Sequence, residues 1–314
     1  MKIIRGINHL KNTNSNSVVS IGNFDGIHLG HQKLLSYVCK VGEKYKILTT
    51  IILFEPQPLE FLRKENIPSR LTSFHDKIKY ISLWKIDQIL CIKFNDYFSS
   101  LSAKDFIIKI LINKLHIKFI VIGNDFRFGF QRNGNVKFLK KLGKKHNFKV
   151  ILIQTYYQNN IKISSTNIRK LLSEDKIELS NSFLGHPFSI SGKVIHGNAI
   201  GRTIGYPTAN ILLNNNLSIT NGVYAVKIRC FFNKKFLGIS NIKNKNNYVH
   251  KKRLLEVHLF NQNINLYGEK IEVFIYKKIR NEFIFHSKDE LKNQISKDVE
   301  IVKNYFKINQ KILT

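Results

Sequence analysis

From residue 18 to about 180, short β-branched runs alternate with segments whose apolar side chains recur every three to four residues. The pattern predicts strands over Val18–Phe24, Ile47–Phe54, Gln88–Phe94, Lys118–Gly123 and Lys149–Gln154. Between and after them it predicts helices over Gly30–Lys44, Ser73–Trp84, Ala103–Leu115, Val136–His146 and Thr166–Leu172. Repeated strand–helix units imply a doubly wound α/β domain with a parallel sheet covered by helices on both faces. After Gly185-His-Pro187 the grammar changes. Phe188–Ile195, Gly222–Phe232, Phe236–Ile242, Leu254–Phe260 and Lys270–Ile279 read as strands with no helix between them, which predicts an antiparallel β-barrel or sandwich. A last helix, Ser287–Phe306, opens with Ser287 and Glu290 at capping-box spacing. The boundary falls at 181–187, giving domains 1–184 and 185–314.

At 314 residues and 43% hydrophobic, the chain can bury two cores of ordinary size. Cys39, Cys91 and Cys230 form no C-x-x-C pair, which argues against a disulfide framework or a thiolate zinc site. No long apolar run follows Lys2 and Arg5, and the most apolar stretch, Ile47–Phe54, is too short to span a bilayer. A cytoplasmic protein without a membrane partner is expected. The net charge of +30 invites a nucleic-acid reading, but the lysines are dispersed among Ile, Asn, Tyr and Phe, as a bias toward A+T-rich codons would produce. They form no stripe, RNA-binding motif or tail, so no specific nucleic-acid partner is expected. The field would favour polyanionic substrates such as ATP.

In an open parallel sheet, ligands bind at the carboxyl ends of the strands. Here the first such turn is Gly22-Asn23-Phe24-Asp25-Gly26, followed by Ile27-His28-Leu29-Gly30-His31 entering a helix. Glycines admit close backbone approach, and a helix N-terminus offers amides to phosphate. Two histidines three apart can reach one phosphate from one side, and the helix dipole disfavours imidazolium, favouring neutral donors. Neither the P-loop nor the G-x-G-x-x-G spacing is present. Metal ligation would need a third ligand that is not nearby, and incidental turn residues are the bland alternative. The H-x-G-H pattern resembles the signature of the nucleotidyltransferase superfamily, which implies that His28 and His31 steady ATP phosphates during attack on the α-phosphorus.

Ser164, Ser165, Thr166 and Arg169 supply hydroxyls, amides and a cation at the start of the last helix of this half. Alone they are an N-cap cluster; beside H-x-G-H they resemble the second nucleotide-gripping motif of bacterial flavin-adenylating enzymes. Phe54-Glu-Pro-Gln57-Pro-Leu-Glu-Phe61 and Val121-Ile-Gly-Asn-Asp125-Phe126-Arg127-Phe128-Gly129 combine aromatic and polar residues after strands, as a flat-ring site requires, though such clusters are more often core. With Pro68-Ser-Arg70-Leu-Thr72 they match, in order, the motifs of the bifunctional riboflavin kinase/FMN adenylyltransferase (FAD synthetase) family. The resemblance implies flavin contacts at Gln57, Asp125, Phe126, Arg127 and Phe128.

The C-terminal half has its own candidate, running from Gly192-Lys193 through His196, Gly197, Asn198, Ala199, Gly201-Arg202 and Gly205 to Pro207-Thr208-Ala-Asn210. Its glycines can form an amide nest for phosphate, and Thr208 and Asn210 offer neutral oxygens to Mg2+, although glycines in a β domain are usually turns. The stretch resembles the riboflavin kinase signature, and Gly222-Val-Tyr-Ala225, Leu255-Glu256-Val-His-Leu259, Leu266-Tyr-Gly268 and Arg280-Asn-Glu282-Phe-Ile-Phe285 follow in the family's order. The resemblance implies that Glu256 is the general base for the ribityl 5′-hydroxyl and that Arg280, Glu282 and Phe285 bind flavin. A solvent-facing strand Glu is the alternative.

The resemblance spans roughly residues 14–306 and implies a Rossmann-like nucleotidyltransferase domain joined to a small antiparallel riboflavin-kinase barrel with a C-terminal helix, converting riboflavin to FMN and FMN to FAD, each with ATP and Mg2+. Three departures stand out: Gln57 replaces histidine, Asn135 replaces aspartate, and 241–247 lacks the usual Asn-Ile-Gly followed by a Pro-Thr turn. The last is expected to change a loop covering the kinase site. A rival reading gives the first site another phosphorylated acceptor and leaves the second domain kinase-inactive.

Overall fold

The computed structural model describes residues 1–10, 15–197, 200–213, 217–230, 234–245, 252–262 and 264–312, with no side-chain description at 245 or 308–312. Two compact units emerge, Met1–Pro68 with Ser73–Ser165, and Ser69–Thr72 with Thr166–Thr314.

The first unit contains β1 (Lys2–Arg5), β2 (Ser17–Ile21), β3 (Leu48–Phe54), β4 (Gln88–Ile92), β5 (Ile117–Gly123), β6 (Arg127–Phe128), β7 (Gly134–Asn135), β8 (Lys149–Ile153), β9 (Tyr157–Gln158) and β10 (Ile161–Lys162). Its helices are α1 (Leu29–Tyr45), α2 (Pro58–Leu62), α3 (Phe74–Ser82), α4 (Asp96–Ser99), α5 (Ala103–Asp105), which runs on into a π-helical turn at Phe106–Ile112, and α6 (Val136–His146). Six strands form one parallel sheet in the order β1-β4-β3-β2-β5-β8. Alternate residues feed two cores: Val19, Ile52 and Ile120 face the helices that carry Phe106 and Leu139, while Val18, Ile51 and Val121 face those that carry Leu35 and Ile81. This is the period-two signature of strands buried on both faces. Strand β1 was not foreseen, since only four residues pair, at the sheet edge. The chain adds strands on one side of β2 and then returns to place β5 on the other, so the reversal lies between β2 and β5. Ligand crevices form at such a reversal.

The second unit contains α7 (Ser165–Ser173, whose first residue belongs to the first unit), α8 (Ile177–Leu184), α9 (Ile200–Thr203), α10 (Lys288–Ile312) and the strands β11 (Phe188–Ile195), β12 (Ala209–Leu213), β13 (Gly222–Arg229), β14 (Lys235–Lys245), β15 (Lys252–Leu259) and β16 (Lys270–Arg280). The strands close into an antiparallel barrel, β11-β12-β15-β14-β13-β16. Helix α10 covers Val223, Ala225 and Ile239 with Val299, Val302 and Phe306. Ser287 caps it as expected, its Oγ accepting the Glu290 amide at 3.1 Å, whereas the Glu290 carboxylate reaches one residue further back and accepts the His286 amide at 2.9 Å. Strand grammar changes at 181–187, whereas compactness divides at Ser165/Thr166, because α8 packs on β11 and β16. There Asn181 donates to the Ile275 carbonyl at 2.9 Å and accepts the Phe188 amide at 2.8 Å.

Two local expectations change. Ala209 and Asn210 open β12 rather than ending a turn, and Asn241–Lys245 continue β14 in register with β15 instead of leaving the barrel as a loop. Without glycine or proline, nothing interrupts that ladder. Asn246 and Asn247 of the same segment lie outside the described residues, as do Asn198 and Ala199.

Candidate functional sites

In the first unit, β2 ends at Ile21 and the turn that follows places Phe24, Gly26 and Ile27 at φ of 46°, 84° and 42°. Positive φ at a β-branched residue costs on the order of 1–3 kcal/mol. The side chains of Phe24 and Ile27 are buried in the core against Leu35 and Val38, which contributes about 1.5–3 kcal/mol each and offsets that strain. Thus the apolar members of the turn clamp it while its polar members, with Asp25 buried, shape the strand's end.

His28 is the N-cap of α1, and its Nδ1 accepts the His31 amide at 3.3 Å. Its ring lies over Gly30, where a Cβ would come within 3.2 Å, so glycine is the residue that fits between the histidines. The two imidazoles stack 3.7 Å apart. Burial, then the neighbouring His28 and Lys77, hold His31 well below the ordinary histidine value, so it is neutral near pH 7. Burial, rather than the helix dipole expected from sequence, is the leading cause. His31 Nδ1 is buried without a hydrogen-bond partner. Ser165 Oγ donates to the Asp25 carbonyl at 2.8 Å, and the Ile163 carbonyl lies beside Gly30. Gly22, Asn23, Ser164 and Ser165 thus gather with the histidines at one sheet end, within the first unit. Thr166 and Arg169 continue along α7 into the second unit, where Arg169 Nε donates to the Ser69 carbonyl. Ser69 Oγ in turn pairs with Ser218 Oγ at 2.7 Å.

The expected flavin residues separate by environment. Asp125, just beyond β5, is exposed and paired with Lys162 at 2.9 Å, a contact that pulls its carboxyl below the ordinary value. Phe126 stacks on Phe128, but Phe128 is a core residue against Phe106, while Arg127 points outward and is exposed. Gln57 begins α2 with its Nε2 buried and unpaired, a donor suited to an incoming acceptor. Asn135 caps α6 by accepting the Phe138 amide at 2.9 Å, a task asparagine performs as well as aspartate. Sequence reading missed Lys77. It occupies the apolar stripe Phe74, Lys77, Ile78, Ile81 of α3 and is almost fully buried. A cation in a core stripe was the available signal.

In the second unit, the outer faces of β12, β14 and β15, residues 196–197 and 200–208, the segment 280–285 and α10 enclose a cavity of about 730 Å³. Gly197, Gly201, Thr208, Asn210, Glu256, Arg280, Glu282 and Phe285 all line it. Gly192 and Lys193 instead lie within β11, and a Cβ at Gly192 would come within 2.2 Å of Ile211, so that glycine serves close strand packing. Arg202 and Gly205 are exposed beside the cavity rather than in its lining. A Cβ at Gly197 would strike the Asn210 amide at 2.3 Å; glycine there lets the loop approach Asn210. Among the described residues, no three His, Cys, Asp or Glu side chains converge on a metal position. Thr208 and Asn210 with room for water and phosphate form a set of neutral oxygens that fits Mg2+.

Arg280 grips Asp298 of α10 with Nε at 2.9 Å and Nη2 at 2.8 Å from Oδ2, while its guanidinium packs under Phe283 and Phe285. It therefore fixes the 283–285 segment at the cavity mouth. Glu256 on β15 faces Asn241 across the ladder, and its Oε1 lies 3.0 Å from Lys243 Nζ. Partial burial raises the Glu282 carboxyl, opposed by the charge of Lys243.

A family model described as FAD synthetase matches residues 10–167, and one described as riboflavin kinase matches residues 184–306. Among curated proteins, the chain is 68% identical to the "Bifunctional riboflavin kinase/FMN adenylyltransferase" of Buchnera aphidicola subsp. Schizaphis graminum, over 98% of this chain and all of that one. It is 42% identical to the protein of the same description from Escherichia coli K12, over 98% of both chains. A crystal structure from Streptococcus pneumoniae, described as a macrolide-efflux protein, superposes with a TM-score of 0.86 at 29% identity, covering 97% of this chain and 99% of that one. Among the described residues, no helix is long and apolar enough to cross a membrane. With both family models matched in order and relatives covered end to end, the chain belongs to the bifunctional riboflavin kinase/FMN adenylyltransferase family.

Proposed function

We propose that this chain makes FAD in two ATP-dependent steps, phosphorylating riboflavin to FMN and then adenylylating FMN to FAD with release of pyrophosphate. One observation carries the reading: each matched family model falls on a part of the chain with its own phosphate-competent site. We assign adenylyl transfer to residues 1–184 and the kinase to residues 185–314.

In adenylyl transfer, the FMN phosphate attacks the α-phosphorus of ATP and the pyrophosphate bond breaks. Such displacement needs positioning and charge stabilisation rather than a covalent intermediate. Neutral His31, held by burial, and His28, held by its N-cap geometry, donate to phosphate oxygens, with the α1 amides adding partial positive charge. Gly22, Asn23, Phe24, Asp25 and Gly30 shape that cradle together with Ser164 and Ser165. Gln57, Asp125 and Phe126 would receive the flavin; Phe128 supports Phe126 from the core.

In the kinase step, the ribityl 5′-oxygen attacks the γ-phosphorus, its proton passes to Glu256, and ADP leaves. Mg2+, held by Thr208 and Asn210, would supply charge neutralisation at the phosphates. Gly197 and Gly201 would let the backbone approach them. Arg280, with Glu282 and Phe285, would order the flavin end of the cavity.

Incubating the protein with riboflavin and Mg-ATP and separating the flavins over time tests the reading. FMN should appear first and FAD follow; formation of neither flavin product refutes it.

A further inference from the structure

We infer that Lys243 is a catalytic cation of the kinase step, carrying the negative charge that develops on the transferring phosphoryl group. The inference rests on the reading of Glu256 as the base. Lys243 stands on β14, two residues beyond Asn241, which faces Glu256 across the ladder. Residues two apart on a strand point to the same face, so Asn241, Lys243 and Glu256 share the cavity wall. There Lys243 Nζ lies 3.0 Å from Glu256 Oε1.

Geometry then limits where the phosphoryl group passes. A general base sits about 2.6–3.2 Å from the hydroxyl oxygen it deprotonates. That oxygen approaches the phosphorus at about 3–3.5 Å before bond formation. The γ-phosphoryl oxygens must therefore come within a few ångströms of the Glu256 carboxylate and of any cation bound to it. A lysine ammonium carries three donors on a flexible stem, so Lys243 can leave one carboxylate oxygen for a phosphoryl oxygen without moving its backbone. The Lys243 side chain is 37% exposed, which leaves it room to make that exchange. Its charge also acts on Glu282, which lines the same cavity. In the step itself the ribityl O–P bond forms, the bond between the γ-phosphorus and the β–γ bridging oxygen breaks, Glu256 gains the proton, and ADP departs with the electron pair.

The alternative is an ion pair that merely occupies the base. The two differ in sign. Under the catalytic role, Lys243→Met lowers kcat for FMN formation by about 100-fold. KM for ATP changes little, and Lys243→Arg restores at least about a tenth of the lost rate. FAD formation from supplied FMN and the thermal midpoint serve as controls that the variant is folded, and both should be unchanged. A kcat that rises or stays level in Lys243→Met, a rise in KM alone, or no rescue by arginine overturns the proposal. Glu256→Gln is measured alongside. Should it retain full kinase activity, the base assignment itself falls; should it lose activity while Lys243→Met does not, only the role of Lys243 falls.

Discussion

The imidazoles of His28 and His31 stack with 3.7 Å between ring centroids and 19° between their planes. Two protonated rings at that distance would repel, so the pair is stable with at least one ring neutral, in keeping with the lowered value of His31. Replacing either histidine by alanine should lower FAD formation by about 100-fold or more, the cost of removing one preorganised donor. FMN formation should be nearly unaffected. Parallel assays of both products check this, and equal loss of both would argue against independent sites.

Gly30 is the spacer that seats the His28 ring, with 3.2 Å between that ring and an added Cβ. Gly30→Ala should fold, since the helix tolerates alanine, yet reduce FAD formation by about tenfold through displacement of His28. Matched far-UV circular dichroism and product assays test it; an unchanged rate would mean that the ring has slack.

Gly192 separates a packing role from a nucleotide-binding one. Gly192→Ala should destabilise the barrel by about 1–3 kcal/mol, because its Cβ would overlap Ile211 in a closed ladder. The KM for ATP of the remaining folded enzyme should not move. Urea unfolding with kinase kinetics distinguishes the two outcomes.

Asp298 is buried and holds Arg280 by two oxygens, with Gln294 donating to Oδ1 at 2.9 Å. Breaking such a pair from one side leaves an uncompensated charge, so Asp298→Ala should cost about 3–5 kcal/mol and loosen α10. Kinase activity should fall while FAD formation from supplied FMN survives. Loss of both together would show that the units do not fold separately.

His31 and His258 are both lowered by burial. A histidine lowered in the folded state binds fewer protons there than in the unfolded chain. Its contribution is therefore intact above the unfolded value near 6.5 and is lost as pH falls below it. The wild-type unfolding midpoint should drop as pH falls below about 6.5, and His31→Gln should reduce that slope, leaving the part due to His258. An identical slope in the variant would mean that His31 titrates as in water.

Periodicity and local chemistry are properties of neighbouring residues, and so they can be read along the chain. Alternating apolar positions predict the parallel sheet and the β domain that the fold contains, and the glycine-histidine spacing singled out the first strand's end as the candidate nucleotide site. The order of motifs along the chain specified the family. What the sequence left open depends on partners distant in the chain. Gly192 and Gly197 look alike as glycines in one basic stretch, yet one faces Ile211 inside a ladder and the other faces Asn210 at the cavity. Phe126 and Phe128 share a motif, but strand alternation sends Phe128 to the core. Lys77 and Lys243 are two lysines among many until folding buries the first beside His31 and brings the second to Glu256. Burial and electrostatic pairing are set by three-dimensional neighbours, so only the tertiary structure could decide them.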